Sequence, residues 1–182
     1  MAKVYDSIDA ALTEFLHQQH VFFVATAPLA PDGHLNLSPK GLNTFAVLAP
    51  GEVAYLDLTG SGVETIAHLG ENGRIVMMFC AFEGLPRIVR LYGRGAVLAP
   101  SHPDFSLLRA RFPELPGVRS IIRVQVERVA DSCGYGVPLY RYQGERSQLP
   151  EWAARKGENG VAAYRAANNA ASIDGLPGLP RG

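Results

Sequence analysis

The chain has 182 residues, 47% of them hydrophobic and 19% charged, so its length suits one domain with a substantial core and room for an appendage. Lys+Arg and Asp+Glu number 17 each, which excludes the basic surface typical of nucleic-acid-binding proteins. No apolar run is long enough to span a membrane, the N-terminus does not read as a signal sequence, and the two cysteines lack metal-ligand spacing, so we expect a cytoplasmic protein without a metal site.

The first half of the chain predicts one helix and several short strands. Residues 7–19 carry apolar side chains at helical spacing behind Ser7, a candidate N-cap. A second, shorter helix is predicted over residues 63–71, where Asn72-Gly73 suits a C-cap. The predicted strands are residues 21–27, 34–37, 44–49 and 53–58.

The second half continues with strands and ends in helices. Residues 103–112 predict a helix with Ser101 as a possible cap, and residues 132–138 are rich in turns. Two polar helices are predicted over residues 148–157 and 160–171. The predicted strands are residues 75–82, 88–98 and 120–129. Strands with short connections and small helices favour a mostly antiparallel barrel or sandwich over a doubly wound parallel sheet.

A glycine turn enters the short helix directly after an apolar strand. The sequence VAYLDL is followed by Thr59-Gly60-Ser61-Gly62. Backbone N–H groups at a helix N-terminus suit a phosphate, and the hydroxyls of Thr59, Ser61 and Thr65 would add donors. An ordinary strand-to-helix loop is the alternative, and the glycines alone favour it.

The balanced net charge hides an asymmetry along the chain. Residues 1–72 contain two basic residues against eight acidic ones, whereas residues 87–128 contain eight arginines against three acids. Arginine rather than lysine is the choice expected for anion recognition, and Arg87, Arg90 and Arg94 lie on one predicted strand. The alternative is that these arginines are solvated strand residues.

Lys40 and three histidines are further candidates for site residues. Lys40 is one of three lysines and follows a short strand, so it would project from a sheet edge; we favour a ligand contact over a solvated turn residue. His17 and His20 lie three apart, but no nearby side chain completes a metal site, so a structural role is favoured. His68 lies on the short helix and is expected to pack or cap.

The order of these segments resembles a known family. The first helix, the strand VFFVATA, the Asp-Gly turn, SPKG, VAYLDLTGSG and RIVRLYGRG resemble the pyridoxamine 5′-phosphate oxidase-like, FMN-binding split β-barrel proteins over roughly residues 10–130. The resemblance implies an α+β, mostly β fold: a six-stranded antiparallel split β-barrel with small peripheral helices and a helical C-terminal extension. It implies an FMN-binding domain over residues 1–130 and an extension over residues 131–182 that packs on the barrel or on a partner chain.

The resemblance also implies a cofactor and a set of residues to bind it. Proteins of this family are homodimers with FMN in a cleft between the subunits. The positions that match the family's cofactor-binding segments are Ser38, Lys40, Thr59, Ser61, Glu64, Thr65, Arg87 and Arg90.

The chain departs from the family's oxidases at three places. Those oxidases carry an arginine and a lysine in the strand aligned with Ser38–Lys40, and a Ser-Arg-Lys run at the turn, which here reads Gly62-Val63-Glu64-Thr65. Their C-terminal substrate-binding segment, with its arginine and histidine, is not recognisable. The resemblance therefore implies an FMN-dependent oxidoreductase acting on a small molecule other than pyridoxamine phosphate.

Two other classes of function stay open. One is a non-catalytic flavin or haem carrier or redox sensor; for haem, His68 is the only histidine in the segment that resembles the cofactor cleft. The other is a deazaflavin-using reductase. Tyr135, Tyr140 and Trp152 are candidate walls of a substrate pocket, with aromatic core packing as the alternative.

Overall fold

The computed structural model describes residues 3–179 as an antiparallel sheet of eight strands with four helices. The helices are α1 (Ala10–His17), α2 (Glu64–Asn72), α3 (Phe105–Arg109) and α4 (Gln148–Asn168). The strands are β1 (Val4–Tyr5), β2 (Phe22–Thr26), β3 (Asn36–Lys40), β4 (Phe45–Ala49), β5 (Glu52–Leu58), β6 (Arg74–Cys80), β7 (Ile88–Leu98) and β8 (Val118–Ser132).

The sheet forms one path of hydrogen-bonded strands. Its order is β3-β2-β6-β7-β8-β5-β4, and β1 pairs with β8 beside this path. The predicted mostly β, antiparallel fold is confirmed, but the strand count is corrected from six to eight, and β3 and β4 end the path without pairing to each other within residues 3–179. The central strands β7 and β8 are also the longest, and they connect the two ends of the sheet.

The buried hydrophobic residues form a large cluster and a small one, which lie on opposite faces of β5. Alternate residues of β2 are buried because side chains of a strand point to opposite faces. Phe22 stacks on Phe79 with ring centroids 5.3 Å apart and meets Tyr55 edge-on at 5.6 Å. Strand β5 is buried along nearly its whole length, since Tyr55 packs in one hydrophobic cluster and Leu56, on the opposite face, packs with Phe112 in the other.

The helix boundaries differ from prediction where capping decides them. Helix α1 begins after Asp9, whose carboxylate accepts a hydrogen bond from the Leu12 N–H at 2.8 Å, so Asp9 rather than Ser7 is the N-cap. Ile8 lies outside the helix, where its N–H donates to the Pro50 carbonyl at 2.7 Å. The prediction placed the start of the helix too early because the apolar side chain of Ile8 fits the helical spacing. Helix α3 is one short turn, and Asp104 rather than Ser101 precedes it.

The predicted ends of α2 and the division of α4 are confirmed. Gly73 adopts a left-handed conformation with φ of 70° and closes α2, which a residue with a Cβ does at a cost. Gly157, with φ of 64°, breaks α4 into two helical parts close to the predicted boundary.

Strand β3 is displaced from its predicted place. It covers Asn36–Lys40 rather than residues 34–37, so Ser38 and Lys40 lie within the strand and not after it. Pro39 is tolerated because β3 is an edge strand, where its missing N–H breaks no central ladder bond. Strand β8 is likewise longer than predicted, at Val118–Ser132.

Candidate functional site

A polar cleft of about 280 Å³ lies between the edge strand β3, the end of β5 and the start of α2. Five of the eight predicted cofactor-binding residues line it: Ser38, Lys40, Ser61, Glu64 and Thr65. Strands β3 and β5 are five positions apart in the sheet order, yet the Lys40 Nζ atom lies 3.9 Å from the Asp57 carboxylate, so the sheet curls and brings its two ends together at this cleft. The cleft is therefore the candidate functional site.

The alternation of β3 supplies one wall of the cleft. Asn36, Ser38 and Lys40 point towards it, while Leu37 and Pro39 face outwards. The Ser38 hydroxyl donates to the Asn36 side-chain oxygen at 3.0 Å. The Asn36 amide in turn donates to the hydroxyl of Thr65 at 2.9 Å, which ties the strand to the first turn of α2. Sequence reasoning missed Asn36, although its period-two relation to Ser38 and Lys40 was readable.

Lys40 is the cation that remains for a ligand in this cleft. Its side chain is 21% exposed, and its Nζ atom lies 3.9 Å from the Asp57 carboxylate. Burial lowers the pKa of Lys40 below its usual range; the Asp57 charge raises it in opposition, and the Arg119 charge lowers it further. An anion bound in the cleft would favour the charged form of the amine.

The floor of the cleft is a buried ion pair that the sequence analysis missed. Arg119 donates to both carboxylate oxygens of Asp57, at 2.7 and 3.2 Å, and both side chains are almost fully buried. The Nη1 atom of Arg119 donates to the Gly62 carbonyl and to the side-chain oxygen of Asn169, each at 2.8 Å. An aspartate inside the apolar strand VAYLDL was the available signal, because a buried carboxylate requires a charged partner.

The turn after β5 is fixed from behind by α4. Thr59 is buried, donates its hydroxyl hydrogen to the Gly117 carbonyl at 2.8 Å and accepts from Arg165 at 2.8 Å. Its only hydroxyl hydrogen is thus already used, and Thr59 does not line the cleft. The Asn169 amide donates to the Gly60 carbonyl at 3.1 Å, so the C-terminal extension positions this turn at a second point.

The N-terminus of α2 opens into the cleft with a carboxylate beside it. No side chain caps this helix at Val63, so its first N–H groups have no side-chain acceptor there. Glu64 occupies the first turn and accepts a weak hydrogen bond from the Ile173 N–H at 3.4 Å. The helix terminus thus attracts an anion, while Glu64 opposes one.

Arg87 and Arg90 are not brought to this cleft within one chain. Arg87 donates to the Tyr5 hydroxyl at 2.8 Å and to Asp131 at 3.3 Å. Arg90 donates to Ser132 and lies opposite Met78 on β6. Neither arginine is among the residues that line the cleft. The sequence analysis joined these segments by order along the chain, but strand pairing places them apart.

His68 is buried behind the cleft rather than in its wall. Its Nδ1 atom lies 2.9 Å from the Thr26 hydroxyl, and its Nε2 atom has no hydrogen-bond partner among residues 3–179. Burial lowers the pKa of His68, and nearby carboxylates, Asp174 first, act against this. His68 is therefore a neutral packing residue, as the sequence analysis favoured.

Residues 3–179 contain neither a metal-binding group of side chains nor a membrane-spanning helix. Nowhere in that range do three or more His, Cys, Asp or Glu side chains come together as a metal-binding group. None of the helices described is both long and apolar enough to cross a membrane.

Comparison with known proteins places these features in a family. The family model described as pyridoxamine 5′-phosphate oxidase matches residues 8–133. An Aspergillus flavus protein, pyridoxamine 5′-phosphate oxidase family protein ustO, is 39% identical over 194 residues, which cover 96% of this chain and 77% of that protein.

Solved structures show the same fold at low sequence identity. The HupZ protein of Group A Streptococcus superposes with a TM-score of 0.52 at 19% identity, over 67% of this chain and 91% of HupZ. A putative pyridoxamine 5′-phosphate oxidase from Lactobacillus delbrueckii has a TM-score of 0.50 at 17% identity, over 70% of this chain and 98% of that one. An FAD-binding protein from Mesorhizobium loti also scores 0.50, at 16% identity, over 72% and 96% of the two chains.

Proposed function

The chain belongs to the pyridoxamine 5′-phosphate oxidase family, and from that premise we propose that it binds FMN in the cleft between β3, β5 and α2 and acts as an oxidoreductase on a small molecule. The observation that carries the proposal is the joint exposure of Lys40, Ser38, Ser61 and the uncapped N-terminus of α2 to one polar cleft. These groups fit a phosphate, since they provide one ammonium, two hydroxyls and backbone N–H donors.

Each cleft residue has a separate part in this proposal. Lys40 pairs with the phosphate, Ser61 donates to it from the turn, and Thr65 with Ser38 keeps Asn36 oriented. The bound flavin supplies two-electron chemistry through its ring. The protein binds it, orients it and sets the charge around it, and the paired Asp57 and Arg119 add no net charge.

A substrate other than pyridoxamine phosphate follows from the charges of the cleft. Glu64 stands where the family's oxidases carry cations, and Arg119 is already occupied by Asp57. The cleft of one chain therefore offers one available cation, Lys40, for one phosphate group. A non-catalytic flavin carrier and a deazaflavin reductase remain the alternative functions on this fold.

We expect the protein to be a homodimer with the cofactor at the subunit interface. The outer face of the sheet carries a continuous row of apolar side chains across β3, β2 and β6, namely Leu37, Pro39, Phe23, Ala25, Val76 and Met78. Leu37 is 68% exposed in the single chain, and a second copy would cover it. Light scattering tests this, and a stable monomer at micromolar concentration would contradict the interface model.

Titration of the apoprotein with FMN and with riboflavin tests the cofactor proposal. Lys40→Met should weaken FMN about tenfold or more and leave riboflavin unchanged, because only FMN carries the phosphate. Lys156→Met, which removes an exposed lysine of α4, is the matched control and should change neither. Equal binding of both flavins by the wild type would contradict a phosphate site here.

A reductive titration distinguishes a contact of Lys40 with the flavin ring from a contact with the phosphate. If Lys40 instead contacts the flavin ring, Lys40→Met should keep FMN affinity but lower the reduction potential, because the anionic reduced flavin loses a nearby positive charge. Repeated reduction and reoxidation of the loaded protein by NADPH and oxygen distinguishes an enzyme from a carrier. A flavin that is never reoxidised by any small acceptor would favour the carrier.

A further inference from the structure

A second, larger cavity lies beyond the lysine end of β3. It has a volume of about 680 Å³ and is lined by residues 18–21, residues 82–84 and residues 140–143. The last four belong to the connector, which we define as residues 138–146. This volume falls within the range of roughly 300–1,000 Å³ typical of small-molecule sites. The flavin cleft is less than half as large, at about 280 Å³, and shares no lining residue with this cavity.

The connector has no regular secondary structure but is attached by hydrogen bonds to the loops that follow β6 and β3. The Tyr140 N–H donates to the Phe82 carbonyl at 2.9 Å, and the Tyr142 N–H donates to the Glu83 carboxylate at 2.9 Å. Glu145 accepts from the Leu42 N–H at 3.1 Å. Three attachments over six residues give the cavity a preformed wall.

Two tyrosines of the connector pack on aromatic neighbours and stay partly exposed. The Tyr142 ring stacks on His20, with centroids 3.5 Å apart and planes 8° from parallel. Tyr140 packs against Phe82 at 5.5 Å and is still 63% exposed. Tyr140 is therefore the more exposed of two aromatic rings in the cavity wall, which makes it the ring on which a planar ligand can stack.

The polar side chains of the cavity are mostly amides with one arginine. Gln18, Gln19 and Gln143 carry amides that can donate and accept, which is the chemistry that reads the edge of a heterocyclic base. Gln18 and Gln19 each use one amide hydrogen within the first helix region, towards Glu14 at 3.3 Å and the Phe15 carbonyl at 2.9 Å, which leaves their oxygens and second hydrogens for a ligand. Arg141 makes no ion pair or side-chain hydrogen bond within the described residues, so its guanidinium is free for an anion. Glu83, the acid in the wall, is engaged by the connector backbone.

We propose that this cavity binds a nucleotide-like ligand: a planar heteroaromatic base stacked on Tyr140, with its phosphate at Arg141. The ring of Tyr140 would hold the base by stacking, and the glutamine amides would form hydrogen bonds to the edge of the base. Arg141 would form an ion pair with the phosphate. This site is separate from the flavin cleft and does not depend on flavin being bound there.

Calorimetric titration of the flavin-loaded protein and of the apoprotein with AMP, adenosine and ribose 5-phosphate tests the site. AMP should bind, adenosine should bind more weakly, and ribose 5-phosphate should not bind measurably. Tyr140→Leu should weaken AMP about tenfold through lost stacking. Arg141→Gln should reduce AMP affinity to that of adenosine. Tyr135→Leu and Arg146→Gln, which change an exposed tyrosine and arginine outside the cavity, should leave AMP affinity unchanged.

Three results would overturn the proposal. The first is no binding of AMP at millimolar concentration, and the second is equal binding of AMP and ribose 5-phosphate. The third is loss of AMP binding in Lys40→Met but not in Tyr140→Leu, which would place the nucleotide in the flavin cleft. FMN titration of Tyr140→Leu keeps the two proposals apart, because the flavin cleft should be unaffected by that substitution.

Discussion

Two arginine–aspartate pairs lie near opposite ends of β8 and differ in burial and use. Arg119 and Asp57 are almost completely buried and joined by two hydrogen bonds beneath the candidate cleft. Arg87 and Asp131 are partly exposed and joined by one contact at 3.3 Å. The same two residue types therefore form a structural floor in one place and a surface pair in the other.

The difference shows why arginine content alone does not locate an anion site. Arg119 is the arginine that borders the cleft, yet its donors are used by Asp57, Gly62 and Asn169. Arg87, which the sequence analysis assigned to the cofactor, is occupied by Tyr5 and Asp131. A cation can bind an added anion only if its partners leave its charge partly unused. In the cleft that residue is Lys40, whose Nζ atom lies 3.9 Å from an Asp57 carboxylate that already accepts two hydrogen bonds from Arg119.

The largest effect is expected at the buried pair. Arg119→Met should lower the free energy of unfolding by about 3–5 kcal/mol, because it leaves the Asp57 carboxylate buried without its partner. Urea denaturation followed by circular dichroism measures this. The double variant Asp57→Asn with Arg119→Met should be more stable than the single variant. A loss below about 1 kcal/mol in Arg119→Met would contradict a buried, dependent Asp57.

An intermediate effect is expected where α4 supports the turn. Arg165 donates to the Thr59 hydroxyl and to the Val118 carbonyl, both at 2.8 Å, and to the Gly117 carbonyl at 3.2 Å. Arg165→Ala should cost about 1.5–3 kcal/mol in the free energy of unfolding and also weaken FMN, because the turn after β5 loses its support. Arg155→Ala, on the exposed side of the same helix, is the control. Equal stability of the two variants would show that α4 does not position the turn.

A smaller effect is expected at the partly exposed pair. Arg87→Ala should change the free energy of unfolding by about 1 kcal/mol or less, since partly solvated ion pairs contribute little. FMN affinity should stay within about twofold of the wild type, because Arg87 lies away from the cleft. A direct contact with the phosphate would instead show as a loss of about tenfold, which corresponds to about 1.4 kcal/mol. A tenfold loss of FMN in this variant would show that Arg87 reaches the cofactor, for example across a dimer interface.

The smallest effect concerns a pH-dependent contact of the C-terminal segment. His34 Nδ1 lies 2.6 Å from the Asp174 carboxylate; this hydrogen bond raises the pKa of His34 and lowers the pKa of Asp174. The contribution of His34 is fully present below its unfolded pKa of about 6.5 and is lost as the pH rises through its higher folded value. The contribution of Asp174 is present above its unfolded value of about 3.9.

The contact should therefore be strongest between about pH 4 and 6.5 and weaker at alkaline pH. Hydrogen exchange of residues 172–176 measured at pH 6 and pH 9 should show faster opening at pH 9, after correction for intrinsic rates. His34→Asn should remove most of this difference. An equal pH response in that variant would assign the effect to another group. The backbone N–H of His34, which donates to Asp174 at 2.8 Å, keeps part of the contact at both pH values.

Much of the fold was predictable from local signals. Strand β7 was predicted with its observed bounds, and α2 was predicted to end at Gly73, because apolar runs and glycine C-caps act over a few residues. The displacement of β3 has a local cause as well: the Ser-Pro-Lys-Gly turn signal outweighed strand propensity, and only the edge position made Pro39 acceptable.

The site was predictable only in part, for a physical reason that separates Ser61, Glu64 and Thr65 from Arg87 and Arg90. The first three lie within five residues of one another; the glycine turn and the helix start were enough to group Ser61 with Thr65, and the family resemblance added Glu64 between them. The two arginines were grouped with them by sequence order, whereas the pairing of β7 with β6 and β8 takes them elsewhere.

The sequence by itself determined the alternation of short strands and small helices and the helix that follows the glycine turn. Only the tertiary structure decided which charges face one another. Asp57 and Arg119 are 62 residues apart and meet because their strands β5 and β8 are neighbours. Charge pairing depends on distances of a few ångströms between strands, and local sequence patterns carry no information on that separation.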